Sequence, residues 1–150
     1  MSLKHLLLSI LFSLIWSISF AGQWHQKANL GGLARHRPTA ISIGNMGYLG
    51  LGHYNGSGTE TYLKDWWQYD ISNDTWTQKA DYIGNNGNGE LGAQAMGLES
   101  VGYVGLGELD KLSFYKYTPS SNTWTQVSSA PGGNNFQDTD EFIIGHKGYF

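Results

Sequence analysis

Gly47-Tyr48-Leu49-Gly50-Leu51-Gly52 returns as Gly102-Tyr103-Val104-Gly105-Leu106-Gly107 and begins again at Gly148-Tyr149-Phe150. An apolar run and a tight turn precede each copy. An aromatic run, a second turn and a Trp follow each of the first two. Trp24-His25-Gln26-Lys27-Ala28, Trp76-Thr77-Gln78-Lys79-Ala80 and Trp124-Thr125-Gln126-Val127 close the units, at spacings of 52 (24 to 76) and 48 (76 to 124) residues. Alternation of apolar and polar side chains within these runs is the period of a strand, and no helical periodicity occurs outside the first twenty residues or so. A period of about fifty with four short strands per unit is the signature of a propeller blade. The expectation is therefore an all-β chain of four-stranded antiparallel blades. It comprises a lone outer strand at 24–28, a blade at 39–80, a second at 93–127 and a partial third at 141–150. That is about two and a half blades of an incomplete ring.

Residues 1–21 stand apart from this pattern. Lys4 and His5 precede a thirteen-residue apolar run, Leu6 to Ile18, and Ser19-Phe20-Ala21 offers small residues where a signal peptidase reads. Thirteen residues rise only about 20 Å as a helix, short of a bilayer core of about 30 Å. The expectation is an export signal cleaved after Ala21, a secreted or periplasmic location and no membrane insertion after its removal. Without Lys4, residues 22–150 carry eight basic and twelve acidic side chains, a net charge of −4. That balance argues against nucleic acid or an anionic membrane as partner. The chain has no Cys, so disulfides, thiolate metal sites and a Cys nucleophile are excluded. Its 21 Gly and 14% aromatic residues fit tight turns between aromatic-packed strands rather than disorder.

Connection lengths divide the molecule into two ends. Tyr69 to Trp76 and Tyr117 to Trp124 are both seven residues apart, and the turn before each Gly-Tyr is equally short. Gly52 to Trp67 is 15 residues, whereas the matching Gly107 to Tyr115 is 8. The Trp to next-strand connections vary as well. Strands of a meander alternate in direction, so the constant turns share one face and the variable loops the other. Variable loops on a rigid scaffold are where binding residues sit.

The Gly47-Tyr48 and Gly102-Tyr103 hairpins, Tyr69 and Tyr117, Trp76 and Trp124 at fixed distance, and Arg35 ahead of the first apolar strand together resemble the kelch-repeat family of β-propellers, its exported bacterial members most of all. The adjacent glycine pair of that family is split here as Gly50-Leu51-Gly52 and Gly105-Leu106-Gly107. Arg35 has no counterpart in later units, where Glu90 and Phe136 align. The resemblance implies a ring of four to eight blades. The remaining blades would come from a longer chain or from self-association, with Trp24–Ala28 completing the last blade. It also implies two functional classes. One is a module binding a protein or a glycan. The other is an enzyme like the sialic-acid epimerases (mutarotases) of the family, in which Arg35 would anchor a carboxylate. A purely structural spacer is the third reading. The Cys cross-linked to tyrosine in copper oxidases of the galactose oxidase type has no match here.

The ligand-binding residues expected on the variable loop face are Arg35, Tyr54, Asn55, Tyr62 and Asn86. Exposed tyrosines and amides suit sugar rings and hydroxyls, and Arg35 suits a carboxylate. The recurring rings Trp24, Trp67, Tyr69, Trp76, Tyr115, Tyr117 and Trp124 are read as packing between blades, with Trp66 and Phe114 on the opposite strand face. Asp138, Asp140 and Glu141 with Asn134 and Asn135 are rich in oxygen but lack the D-x-[DN]-x-[DN]-G spacing of a calcium loop. Gly84-Asn85-Asn86-Gly87-Asn88-Gly89 reads as a turn, since Asn and Gly tolerate the left-handed conformation. It has no Lys or following helix to make it a phosphate loop. His25, His53 and His146 share no ligand spacing, and no G-x-S-x-G elbow occurs. No catalytic residue, metal or cofactor is expected.

Overall fold

A computed structural model describes residues 22–56, 58–131 and 140–149. Residues 1–21, Asn134, Asn135, Phe136, Asp138 and Phe150 lie outside the described residues. The described chain is all-β apart from one three-residue helical turn. Its strands are β1 (Thr39–Ile43), β2 (Met46–Gly50), β3 (His53–Tyr54), β4 (Thr61–Tyr62), β5 (Trp66–Asp70), β6 (Thr75–Lys79), β7 (Gln94–Leu98), β8 (Val101–Gly105), β9 (Phe114–Thr118), β10 (Thr123–Val127), β11 (Phe142–Ile144) and β12 (Lys147–Tyr149).

Two antiparallel sheets of four strands form, ordered β1-β2-β5-β6 and β7-β8-β9-β10, with β11-β12 as a further hairpin. The register repeats. Tyr69 faces Trp76 across β5-β6, and Tyr117 faces Trp124 across β9-β10. Gly47 faces Tyr69 and Gly102 faces Tyr117 in the central pair of each sheet. The short turns at 44–45, 71–74, 99–100 and 119–122 all lie at one end of their sheets. The long connections 51–65, 80–93 and 106–113 leave from the other.

The sheets lie face to face, and β1 runs against β7. A Cβ on Gly97 would stand 1.8 Å from the Ser42 carbonyl oxygen, so only glycine lets β1 come this close. Between the sheets is a cluster of rings. Trp66 and Tyr48 project from the first sheet onto Tyr117 and Trp124 of the second, with Trp66 to Trp124 edge-on at 5.4 Å between centroids. Tyr82, from the connection, stands edge-on to Tyr115 and Trp124 at 5.2 and 5.1 Å. Offset and edge-on contacts at these distances are the favourable geometries for aromatic pairs.

A second device fastens one unit to the next. The turn residues Asp74 and Asn122 both have positive φ, 51° and 53°. Asn122 Oδ1 accepts from the Tyr117 hydroxyl (2.9 Å) and from the Ala80 amide (2.9 Å), and Trp124 Nε1 donates to the Ala80 carbonyl (2.9 Å). One unit earlier, Asp74 Oδ1 accepts from the Tyr69 hydroxyl (2.6 Å) and from the Ala28 amide (2.9 Å), and Trp76 Nε1 donates to the Ala28 carbonyl (3.0 Å). The constant Trp-to-Ala spacing thus places an Ala backbone in the grip of the following unit. These bonds hold Asp74 below the usual carboxylate range, the Ala28 amide contributing most.

Trp24–Ala28 forms no strand, contrary to the alternation there, and Trp24 is fully exposed. A strand exists only as part of a ladder, and none of the described segments pairs with residues 24–27. Only Ala28 is held, by the contacts just given. The 53–62 connection, read as a loop, carries the short β3-β4 hairpin.

Burial raises the phenol pKa of Tyr48 and Tyr82, and pushes Tyr117 up to about 12. The fold therefore favours the neutral phenols, and their contribution is complete below the ordinary value of about 10. It is lost as pH rises from there through the raised values. Alkaline titration is expected to show phenolate absorbance appearing together with loss of the near-ultraviolet dichroism of the rings. Ionisation of all nine tyrosines by pH 10 with the dichroism intact would contradict this burial.

Candidate functional site

The loop end of the two sheets is built partly by positions that the sequence offered as ligand contacts and partly by others that the sequence left unmarked. Arg35 heads the first group. Its guanidinium forks onto Asp65 with bonds of 2.6 and 2.7 Å, and also donates to the carbonyls of Leu51 (3.2 Å) and Leu33 (3.0 Å). The Arg35 side chain is 3% exposed. Asp65 takes a further bond from Trp67 Nε1 at 2.6 Å. Burial pushes the Asp65 carboxyl up, but the bonds from Arg35 and Trp67 and the Arg35 charge together hold it below its ordinary value. Glu90, the aligned residue of the next unit, is fully buried and does the same work with opposite charge. Its oxygens accept the amides of Leu91 (2.9 Å), Leu109 (2.9 Å) and Asp110 (2.7 Å). Both side chains pin the connection between the second and third strands of their own sheet.

Leu51 and Leu106, the residues that split each glycine pair, adopt φ of 57° and 56° and are completely buried. A left-handed leucine costs about 1–2 kcal/mol, which burial of its side chain offsets. This bend closes the strand and opens the variable loop.

The first such loop carries the β3-β4 hairpin. His53 is buried beneath it, and its Nδ1 meets the Glu60 carboxylate in a short contact. The Tyr62 ring stacks over His53 at 6.4 Å, and the His36 ring tilts against it from the other side. Tyr62 is 38% exposed, Tyr54 is half-buried and Asn55 is exposed. An aromatic and amide surface therefore stands at the tip of this loop. Gly89 packs on the Tyr62 backbone, where a Cβ would lie 2.7 Å from its carbonyl, and so joins the hairpin to the next loop.

That loop contains three successive positive-φ residues, Asn85 (48°), Asn86 (54°) and Gly87 (73°). Gly87 N donates to the Gly84 carbonyl (2.9 Å), Asn88 N to the Asn85 carbonyl (3.1 Å) and Asn85 Nδ2 to the Gly89 carbonyl (2.9 Å). Asn and Gly are the residues that enter this region at least cost, so the Asn/Gly run forms a defined left-handed turn. The turn borders a cleft of about 660 Å³ lined also by Asp110, Lys111, Ser113, Tyr115, Gln126 and Ser129.

Of the five residues expected to bind ligand, Tyr54, Asn55 and Tyr62 gather on one hairpin, Asn86 lines the cleft beside the neighbouring loop, and Arg35 lies beneath the surface in its pair with Asp65. Asp110 and Lys111 were missed. The available signal was a run of three charges in Glu108-Leu109-Asp110-Lys111, in a chain with only 14% charged residues. It falls within the shorter of the two variable loops compared.

No family model matches this sequence, and no curated protein matches it. Among solved structures, that of YjhT aligns with a TM-score of 0.57 at 22% identity, over 77% of this chain and 33% of that one. The likeness is one of fold, and the chain spans about a third of the length of that structure.

Proposed function

We propose that this chain is part of an exported kelch-type β-propeller that binds a protein or carbohydrate partner through its variable loop face. Two four-stranded sheets packed face to face, with rings between them and a repeated joint, support the blade reading, as does the fold likeness to a structure of which this chain spans about a third. The leader-like residues 1–21 support export. The observation that carries the binding role is the segregation of connections. Short turns occupy one end of both sheets, while the other bears exposed Tyr62, Asn55 and Asn86 on loops of unequal length. Amides and tyrosines give adaptable hydrogen bonding and contact area at small entropic cost.

The epimerase-like alternative with Arg35 as carboxylate anchor draws no support from the geometry, because Asp65 and two carbonyls already occupy the guanidinium. The loop-face reading is tested by screening the protein against glycan and surface-protein arrays. Tyr54→Ala combined with Tyr62→Ala is expected to weaken binding about tenfold or more, as removal of exposed aromatic anchors does. Unchanged binding would take the β3-β4 hairpin out of the site.

A further inference from the structure

Resting on the loop-face reading, we infer that the cleft beside the Asn85–Gly87 turn is a subsite for an uncharged saccharide, with Asp110 as its central acceptor. Its volume of about 660 Å³ lies within the range of small-molecule sites, about 300–1,000 Å³. Polar groups of complementary kinds converge there. Asp110 Oδ2 receives only long bonds, from the Tyr115 hydroxyl (3.3 Å) and the Asn85 amide (3.4 Å), and Oδ1 one from Ser113 N (3.3 Å). Lone pairs on both oxygens remain for hydroxyl donors, and a carboxylate accepting from hydroxyls makes the stronger, charge-assisted bond. Asn86, Lys111 and Gln126 are exposed, and no hydrogen bond or ion pair engages their side chains among the described residues. They offer amide and ammonium donors to ring and hydroxyl oxygens. Leu109, 39% exposed at the margin, supplies an apolar contact for ring C–H groups or an N-acetyl methyl.

Charge selects against anions. Among the described residues Lys111 is the one cation lining the cleft, against Asp110 in it and buried Glu90 behind the Leu109 and Asp110 amides. A sugar carboxylate or phosphate would meet the Asp110 carboxylate, with the Glu90 charge buried behind it. A neutral pyranoside meets one acceptor flanked by donors. The scaffold is also set in place beforehand. Glu90 fixes residues 109 and 110, and the left-handed turn fixes Asn85 and Asn86, so little ordering remains to oppose binding.

The test is an amide-detected NMR titration of the full chain with lactose and, separately, methyl N-acetylglucosaminide, N-acetylneuraminate serving as the charged comparison. A neutral sugar is expected to shift Asn85, Asn86 and the Gln126 side-chain amide in a saturable way, while the anion shifts them little. Lys111→Ala with Gln126→Ala, both at exposed positions, is expected to weaken this about tenfold with an unchanged melting temperature. Asp110→Asn is expected to weaken it further, since it removes charge-assisted bonds. Shifts confined to the β3-β4 hairpin would overturn the subsite and leave the loop-face reading standing. So would a protein partner on that hairpin together with no saccharide response in the cleft. Loss of saccharide binding through the cleft variants, with none through Tyr54→Ala and Tyr62→Ala, would uphold the subsite and remove the hairpin.

Discussion

Replacing Trp66 with alanine is expected to lower the folding stability by about 3–5 kcal/mol, the range for truncating a fully buried large ring. Trp66 has no exposed surface. Among the described residues it is the one ring in contact with Tyr48 of its own sheet and with both Tyr117 and Trp124 of the next, so its removal hollows the seam between the sheets rather than the edge of one. The neighbouring rings cannot collapse into the space, because Tyr117 and Trp124 are tied at their polar ends to Asn122 and the Ala80 carbonyl. Trp66→Phe is expected to cost much less. It keeps a ring in the seam, and the indole N–H it deletes is buried without a partner among the described residues. Urea unfolding measures both, and an unchanged slope with a shifted midpoint assigns the effect to the native state. A loss below about 1 kcal/mol for Trp66→Ala, the level of an ordinary surface change, would mean that Trp66 does not hold the sheets together.

Arg35→Ala is expected to cost about 3 kcal/mol, the lower part of the range for breaking a buried ion pair. The cost arises on the partner. Asp65 would stay in place under Trp67 with its charge no longer compensated, and the Leu33 and Leu51 carbonyls would lose a donor. Arg35→Lys is expected to recover only part of this, since a point charge cannot reproduce a two-pronged contact with Asp65 together with two carbonyl bonds. The pH dependence gives a second readout. The folded Asp65 carboxyl lies below its ordinary value, so its stabilising contribution is complete above about pH 4 and disappears as pH falls through the lowered value. The gap in stability between the wild type and Arg35→Ala should therefore narrow on acidification below that point. A gap constant down to pH 2 would show that the ion pair is not its source, and retained stability in Arg35→Ala would return Arg35 to the list of ligand contacts.

The strands were legible because their periodicity is repeated. Ile41, Tyr48, Tyr69 and Trp76 recur as Met96, Tyr103, Tyr117 and Trp124, so each run vouches for the other. Positions 24–28 show the limit of that logic. The Trp-to-Ala motif is there, but alternation describes a side-chain pattern and not the presence of a partner strand. The loops were legible only in part. Tyr54, Asn55, Tyr62 and Asn86 could be placed at one end by counting residues, whereas the fate of Arg35 depended on Asp65, thirty positions away. Glu90 aligns with Arg35 and performs a matching task by capturing amides instead of a carboxylate, an equivalence that residue type conceals. Asp110 could not be weighted from the sequence, because what sets it apart is three long hydrogen bonds around an open cleft.

The joint at Ala28 and Ala80 bears on how such a chain lengthens. One half of the fastening, the Ala backbone, trails each unit, and the other half, the Asx turn with its Tyr and Trp, lies within the unit that comes after. A tandem copying event that duplicates one period of about fifty residues therefore carries over both halves of the latch. The new copy fits its neighbours on arrival, leaving the loops at the far end free to diverge.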